Sequence, residues 1–294
     1  MKGVCMKILN LSKPWYDESI AILSDWYCHD AKADEVIGVI ADLVKVDLKK
    51  FPNLKFVASC TTGLDHIDAD YCLEKGIIII SLWGETEFLE NVWATAEHTW
   101  ALILSLIRKV PWAFEDVKAG NWDREAWQGT ELRGKTLGIV GHGRVGRQVE
   151  NIAKAFGMPV YISDPKHFIF YPFEYMLGRS DIVTVHVPLT DETRGMFGER
   201  EFRLMKSTAY FVNTSRGGVV DESALLDALE HGWIAGAALD VVCNEPNINP
   251  GLLEYAGTNS RLILSPHLGG NTAESRKNTQ RFMTEKIRKF IGGG

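Results

Sequence analysis

Residues 137–157 read LGIVGHGRVGRQVENIAKAFG: an apolar run, three glycines within six residues, then an amphipathic run. Residues 136–140 have the short, apolar, β-branched character of a buried strand, and Val149, Ile152 and Ala153 recur on one face of a helix expected over 145–156. Gly141, Gly143 and Gly146 therefore form G-x-G-x-x-G at a strand-to-helix turn. Alone, such a glycine set often marks only a turn or a helix end. At this position it has a defined use. The first glycine makes a tight bend, the second admits a pyrophosphate against the backbone, and the third lets the helix pack on the strand. The N–H groups of Arg144, Val145 and Gly146 then meet negative charge at the positive end of the helix dipole. An acidic residue is due at the end of the next strand, and Asp164 in YISDP stands 18 residues beyond Gly146. Its carboxylate suits both adenosine ribose hydroxyls and repels a 2′-phosphate, so the turn reads as a site for NAD in preference to NADP. Lys166, two residues further on, would soften that preference if it faced the ribose.

Strand-like and helix-like stretches alternate on both sides of this turn. Upstream, apolar runs at 7–11, 36–40, 54–59 and 76–82 flank helical stretches such as 16–26; downstream, they recur at 160–163, 182–186, 209–213, 235–240 and 262–265. Between the two series, residues 91–108 contain neither proline nor glycine and predict one long helix that ends before Pro111. Residues 274–291 predict a last helix, followed by a three-glycine tail. The expected fold class is α/β: two Rossmann-like or flavodoxin-like parallel-sheet domains joined by long helices.

With 294 residues, 46% hydrophobic and 24% charged, the chain reads as an ordinary globular protein of two domains. Its longest apolar runs, such as 76–82, are far too short to span a bilayer, and the N-terminus has no secretory pattern. The expected setting is cytoplasmic, without a membrane partner. Five cysteines (Cys5, Cys28, Cys60, Cys72, Cys243) form no C-x-x-C pair, which argues against a disulfide framework and a thiolate zinc site; no metal is expected. A net charge of -6 without a basic cluster argues against a nucleic-acid partner. Charge is uneven: residues 1–100 carry nine lysines and no arginine against nine aspartates and seven glutamates, a balance of -7.

Four stretches, ELRGKTLGIVGHGRVG, DIVTVHVPLTDETRGMF, FVNTSRGGVVDESALLDALEHGWIAGAALDVVCNEP and SPHLGGNT, stand in the order seen in a known family. In these motifs the chain resembles the D-isomer-specific 2-hydroxyacid dehydrogenases, of which D-3-phosphoglycerate dehydrogenase is one. The resemblance implies a substrate domain of residues 1–100 plus 273–294 and an NAD-binding domain of residues 101–272. It implies interconversion of a 2-keto acid and a D-2-hydroxy acid by hydride transfer. Arg216 would hold the substrate carboxylate, for which a planar guanidinium fork is suited. His267 would be the general acid for reduction and the base for oxidation, with Glu245 on its other ring nitrogen. Taken singly, each has a plain reading: a surface ion pair, a solvated loop glutamate, a structural histidine. Their joint placement at strand ends, where open α/β sheets bind ligands, favours the site. By the same resemblance Thr62, in a loop offering backbone N–H groups from Cys60 to Gly63 to the substrate carboxylate, would reach the cofactor. Val187 and Pro188 would line the adenine side. Thr214 and Ser215 would lie at the nicotinamide, Asp240 at its carboxamide, and Gly269 on the cofactor side of the histidine turn. His66, His98 and His142 match no catalytic position and read as structural.

The pattern departs from the phosphoglycerate enzymes in two places. An Arg-Ser pair in their phosphate clamp is replaced by Ala41 and Asp42, and an Asn-Thr-Pro-Gly turn by Ser81-Leu82-Trp83-Gly84. With no arginine before Arg108, an unphosphorylated 2-keto acid is the expected substrate. Trp93, Trp100, Trp112, Trp122 and Trp127 crowd the segment where the family builds a two-fold dimer, so a homodimer is expected. The alternative is a dinucleotide-sensing interaction protein, like the transcriptional corepressors that resemble this family.

Overall fold

The run Val36–Ile40 is buried at all five positions and is the middle of a five-stranded sheet in the computed structural model, which describes residues 6–12, 15–166 and 170–292. Cys5 and the last two glycines of the tail lie outside the described residues. The first sheet contains β1 (Lys7–Asn10), β2 (Tyr27–Cys28), β3 (Val36–Ile40), β4 (Phe56–Ser59) and β5 (Ile78–Ser81). All pairings are parallel, in the order β2-β1-β3-β4-β5. Successive side chains of a strand point to opposite faces, and a parallel sheet is covered on both. Thus Ile8, Ile40, Phe56 and Ile80 pack on one side with Met283 and Ile287 of the helix Ala273–Ile291, while Leu9, Val39 and Val57 pack on the other with Leu48 and Cys72. Gly38 is required here: a Cβ on it would lie 2.1 Å from the Phe56 ring.

The expected helix over 16–26 is confined to Asp17–Ala21. It has no side-chain N-cap, and after it the chain turns through Leu23, whose carbonyl accepts the N–H of both Trp26 and Tyr27, to enter β2. The two-residue β2 is below the length at which a strand pattern is readable.

The second sheet has six parallel strands, β6 (Leu137–Val140), β7 (Val160–Ser163), β8 (Ile182–Val185), β9 (Tyr210–Asn213), β10 (Gly236–Leu239) and β11 (Leu262–Leu264), in the order β11-β10-β9-β8-β6-β7. One face carries Val140, Val183, Phe211 and Leu239; the other carries Ile139, Ile182, Val212 and Ala238 with Trp100, Ile103 and Leu106 of the helix Ala94–Ile107. Each such aliphatic or aromatic side chain contributes ~1.5–3 kcal/mol through burial. Because β6 pairs with β7 on one side and β8 on the other, the strand order reverses at its carboxyl end. In open parallel sheets that reversal opens a ligand crevice.

The chain divides into two compact units, residues 1–92 with 272–294, and Trp93–Asn271. A boundary after residue 100 would run through the helix Ala94–Ile107, which belongs whole to the second unit. The long helix expected over 91–108 is shorter than its sequence pattern: a separate turn of helix, Thr86–Glu90, precedes it, and Lys109 at φ +54° ends it. Pro111 does not close the segment but opens a second helix, Val110–Lys118, at the N-terminal position where its fixed φ and missing N–H are tolerated.

Candidate active site

The glycine turn after β6 has the geometry its spacing predicts. Gly141 has φ +87°, and a Cβ there would lie 2.7 Å from the His186 carbonyl oxygen and 2.8 Å from Val187 Cγ1. A Cβ on Gly146 would lie 2.3 Å from the Gly141 oxygen, so the helix Arg144–Ala155 sits directly on the turn. Gly143, its N-cap, is the opposite case: nothing lies within 4 Å of where a Cβ would stand. The open face at Gly143 adjoins the helix N-terminus, the place a diphosphate occupies. Asp164, just beyond β7, accepts the His142 N–H at 2.7 Å on one oxygen and the Lys166 N–H at 2.9 Å on the other. It thereby ties the end of β7 to the turn. The His142 ring faces Glu150, Nε2 to Oε2 2.7 Å, and Glu150 also meets Lys154 at 2.7 Å. Burial raises the Glu150 carboxyl, but hydrogen bonds from Lys154 and His142 outweigh it and hold the group below the usual range. Val187 packs on the turn, and the Pro188 carbonyl accepts the Thr193 hydroxyl at 2.6 Å. These residues fit a dinucleotide.

The ends of β9, β10 and β11 carry Arg216, Glu245 and His267, the three residues expected to react. After β9, the buried Asn213 accepts the N–H and hydroxyl of Ser215 and donates to the Arg216 carbonyl, a knot that fixes the start of the Arg216 side chain. Arg216 Nη1 donates to the Ser215 carbonyl at 2.8 Å. Thr214 is buried, with its hydroxyl 2.9 Å from that of Thr99. Beyond β10, the N–H of Val242 donates to Glu245 Oε1 at 3.1 Å, leaving Oε2 for His267 Nδ1 at 2.7 Å. His267 has φ +55°, a conformation few non-glycine residues adopt and one that clusters at functional sites. Its Nε2 has no hydrogen-bond partner among the described residues, and the side chain keeps 24% of its exposure.

Asp240 is committed more deeply than its sequence position implies. It is 1% exposed; Oδ1 accepts from His98 Nε2 (3.0 Å), Ser265 Oγ (2.5 Å) and Leu268 N (2.7 Å), while Oδ2 accepts from Gly269 N (2.8 Å). Its carbonyl takes the His267 N–H at 2.8 Å. Burial raises this carboxyl, but the hydrogen bonds from His98, Ser265 and Leu268 prevail and hold it below its ordinary value. In this geometry Asp240 and Gly269 bind one another and shape the His267 turn. No spacing pattern signals that His98, 142 residues away in sequence, donates to Asp240.

In the first unit, the loop after β4 differs from expectation at one atom. The Cys60 N–H is not on offer: it donates to Asp42 Oδ1 at 2.5 Å, while Trp15 Nε1 donates to Oδ2 at 2.9 Å. Burial pushes the Asp42 carboxyl up, only partly offset by these donors, and pushes the Cys60 thiol well above the ordinary range, helped by the Asp42 charge. Thr61 Oγ1 bridges Ser59 Oγ and the Gly63 carbonyl at 2.7 Å each, next to Thr62. Trp83 is 66% exposed on the turn after β5, its N–H held by Ser81 Oγ at 3.2 Å. Among the described residues no group of three His, Cys, Asp or Glu is placed to hold a metal, and no helix is long and apolar enough to cross a membrane.

A glycine turn at the strand-order reversal of a parallel sheet defines a dinucleotide-binding class of α/β folds, and comparison with known proteins narrows it. Residues 100–269 match the family model of the D-isomer specific 2-hydroxyacid dehydrogenase, NAD binding domain. The chain is 41% identical over 280 residues to a glyoxylate reductase of Aeropyrum pernix, covering 89% of this chain and 81% of that one. It is 40% identical over 272 residues to D-3-phosphoglycerate dehydrogenase of Bacillus subtilis, covering 88% of this chain and 50% of that one. The chain thus spans about half the length of the phosphoglycerate dehydrogenases it matches. Among solved structures it superposes on D-lactate dehydrogenase of Aquifex aeolicus in complex with NAD and lactic acid, with a TM-score of 0.83, 27% identity, and coverage of 98% and 96% of the two chains. The chain belongs to the D-isomer specific 2-hydroxyacid dehydrogenases, and its second unit is the NAD-binding domain of that family. The names of these relatives, all dehydrogenases or reductases, do not favour the sensing alternative.

Proposed function

We propose that this protein is an NAD-dependent dehydrogenase that interconverts an unphosphorylated 2-keto acid and the D-2-hydroxy acid. The observation that carries the proposal is the 2.7 Å bond between Glu245 and His267 Nδ1, which orients the ring and leaves Nε2 to move a proton. When bound, the nicotinamide would supply the hydride for reduction. His267 Nε2–H donates the proton to the oxygen that develops charge, Glu245 stabilises the imidazolium before transfer, and Arg216 holds the substrate carboxylate through its planar fork. In oxidation His267 takes the proton back. Gly141, Gly143, Arg144, Val145 and Gly146 hold the diphosphate and Asp164 the adenosine ribose. Val187, Pro188, Thr214 and Ser215 line the path from adenine to nicotinamide. Asp240 and Gly269 shape the histidine turn and reach the carboxamide side, and Thr62 belongs to the substrate-domain loop.

The unphosphorylated substrate follows from charge. Residues 1–92 hold no arginine, those of the first unit (Arg276, Arg281 and Arg288) all lying on its last helix, and at the position expected for a phosphate-binding pair the chain carries Ala41, buried, and Asp42. A dianionic phosphate placed beside that carboxylate is repelled. The unpaired thiols Cys28, Cys60, Cys72 and Cys243 support a reducing, cytoplasmic setting. The exposed Val110, Phe114 and Val117 on the helix Val110–Lys118 support a homodimer.

The test is NADH oxidation, followed by ultraviolet absorbance, with glyoxylate, pyruvate, hydroxypyruvate, phosphohydroxypyruvate and phenylpyruvate, and NADPH in parallel. Turnover of an unphosphorylated acid with NADH is the expected result. A specificity constant far higher for phosphohydroxypyruvate than for hydroxypyruvate or glyoxylate would overturn the substrate assignment.

A further inference from the structure

One peptide unit, Val242–Cys243, is gripped from two directions by residues outside the proton-transfer pair. From one side comes Gly217, the residue after Arg216: a Cβ on it would lie 2.0 Å from Val242 C, 2.1 Å from Val242 O and 2.4 Å from Cys243 N. The backbone beside Arg216 therefore lies flush on this peptide, and only glycine fits. From the other side comes Glu222, 9% exposed, whose Oε1 accepts the Cys243 N–H at 2.6 Å, the short length of a charge-assisted bond. The adjoining Val242 N–H holds Glu245 Oε1, and Asn244 at φ +60° bends the chain between them. Glu222 opens the helix Glu222–Glu230, where the macrodipole favours a carboxylate, but the capping itself is done by Asp221, which accepts from the N–H of Ser223 and Ala224. The Glu222 carboxylate is thus turned away from its own helix and onto the loop that carries Glu245. Cys243 shows the effect of burial and of this charge: its thiol is pushed up to about 11, by burial first and by Glu222 next.

The geometry points to Glu222 as a positioning residue of the reaction. It fixes the Cys243 peptide against Gly217, and so sets where Arg216 stands relative to the Glu245–His267 pair. The inference rests on the proposed roles of those three residues. Misplacement of reacting groups by about an ångström costs on the order of 100-fold in rate, so the clamp bears on kcat rather than on cofactor affinity.

Three substitutions at this position separate positioning from folding. Glu222→Gln keeps an Oε1 acceptor at the same reach and is expected to retain kcat within about threefold. Glu222→Asp keeps the charge but is about 1.5 Å shorter, out of hydrogen-bond range of Cys243, and is expected to lose kcat about 10- to 100-fold with KM for NADH changed less than twofold. Glu222→Ala is expected to match Glu222→Asp. Asp221→Ala, which uncaps the same helix without touching Cys243, is expected to lower the melting temperature and leave kcat unchanged. Hydrogen exchange of the peptide covering 240–246 gives a readout that needs no turnover: faster in Glu222→Asp and unchanged in Asp221→Ala. Equal kcat and equal exchange in Glu222→Asp and wild type, or an equal loss of kcat in Asp221→Ala, would overturn the role of Glu222. His267→Ala with full turnover would overturn the site assignment itself and this inference with it, whereas an inactive His267→Ala beside a fully active Glu222→Asp would overturn this inference alone.

Discussion

His267 joins two demands on one side chain. Its backbone is held at φ +55° by bonds that end on Asp240, and its ring is aimed by Glu245. Removing the ring therefore removes the proposed acid without disturbing the glycine turn, which lies after a different strand. His267→Ala is expected to lower kcat by roughly 10²–10⁴-fold, the usual contribution of a positioned acid or base, with NADH affinity intact by fluorescence titration. A parallel loss of NADH binding would mean that His267 is part of the cofactor site rather than the proton donor. Glu245→Gln keeps an oxygen within reach of Nδ1 but loses the charge that stabilises imidazolium, so an intermediate loss of kcat is expected in the same assay. Neither role was readable from spacing. Arg216, Glu245 and His267 lie on three separate loops, and only the family motifs grouped them. Two of the partners that hold them, His98 and Glu222, carry no local signature, because the first bond joins residues distant in sequence and the second is made by a carboxylate whose obvious reading is a helix start, whereas Asn213 reaches only to Arg216, three residues on.

The glycine turn offers a sharper test, because its three glycines meet different surroundings. Gly141→Ala forces a Cβ against the His186 carbonyl at a left-handed φ, so it is expected to destabilise the protein by a few kcal/mol as well as impair cofactor binding. Gly143→Ala meets nothing within 4 Å and is expected to melt near wild type while losing NADH affinity at least tenfold. Wild-type NADH affinity in Gly143→Ala would show that the diphosphate does not approach there. At the end of β8, burial pulls the His186 imidazole down to about 3 from 6.5. Between those values the unfolded chain binds a proton that the folded chain refuses, so stability rises with pH across the window. Going from pH 7 to pH 5 costs up to about 2 kcal/mol at this ring, and His186→Asn is expected to lose less stability than wild type over that interval in urea titrations. Equal losses would assign the acid sensitivity elsewhere. Ten of the eleven strands were legible because each is a short apolar run bounded by turn residues. The two-residue β2 was not, and helix ends were set by caps and by Lys109 at positive φ, which hydrophobic periodicity does not report.

Across the molecule, residues 1–92 are acidic and free of arginine, the three arginines of the first unit (Arg276, Arg281 and Arg288) all lying on its C-terminal helix, while the second unit carries the glycine turn together with Arg216, Glu245 and His267. Self-association belongs to neither function directly, and the structure redistributes the tryptophans from which it was expected. Trp100 is 4% exposed and stacks on Phe156 at 4.9 Å, and Trp112 packs against the same core, so both are used within their own unit. Trp127 donates Nε1 to Asp116 at 2.9 Å. What remains outward is a stripe on the helix Val110–Lys118, which buries none of its residues: Val110, Phe114 and Val117, 53%, 61% and 48% exposed, recur at helical spacing, and Trp122, 88% exposed, follows them. A contiguous apolar surface of this kind marks an interaction site, and aromatic side chains are its usual anchors. Light scattering at micromolar concentration is expected to give twice the 32.9 kDa of one chain. Phe114→Asp combined with Trp122→Ala is expected to halve that mass while NADH affinity stays within about twofold, since both side chains point to solvent and an interface charge acts mainly on association. A wild-type protein that scatters as a monomer would remove the dimer. A double variant that remains dimeric would move the interface away from this helix.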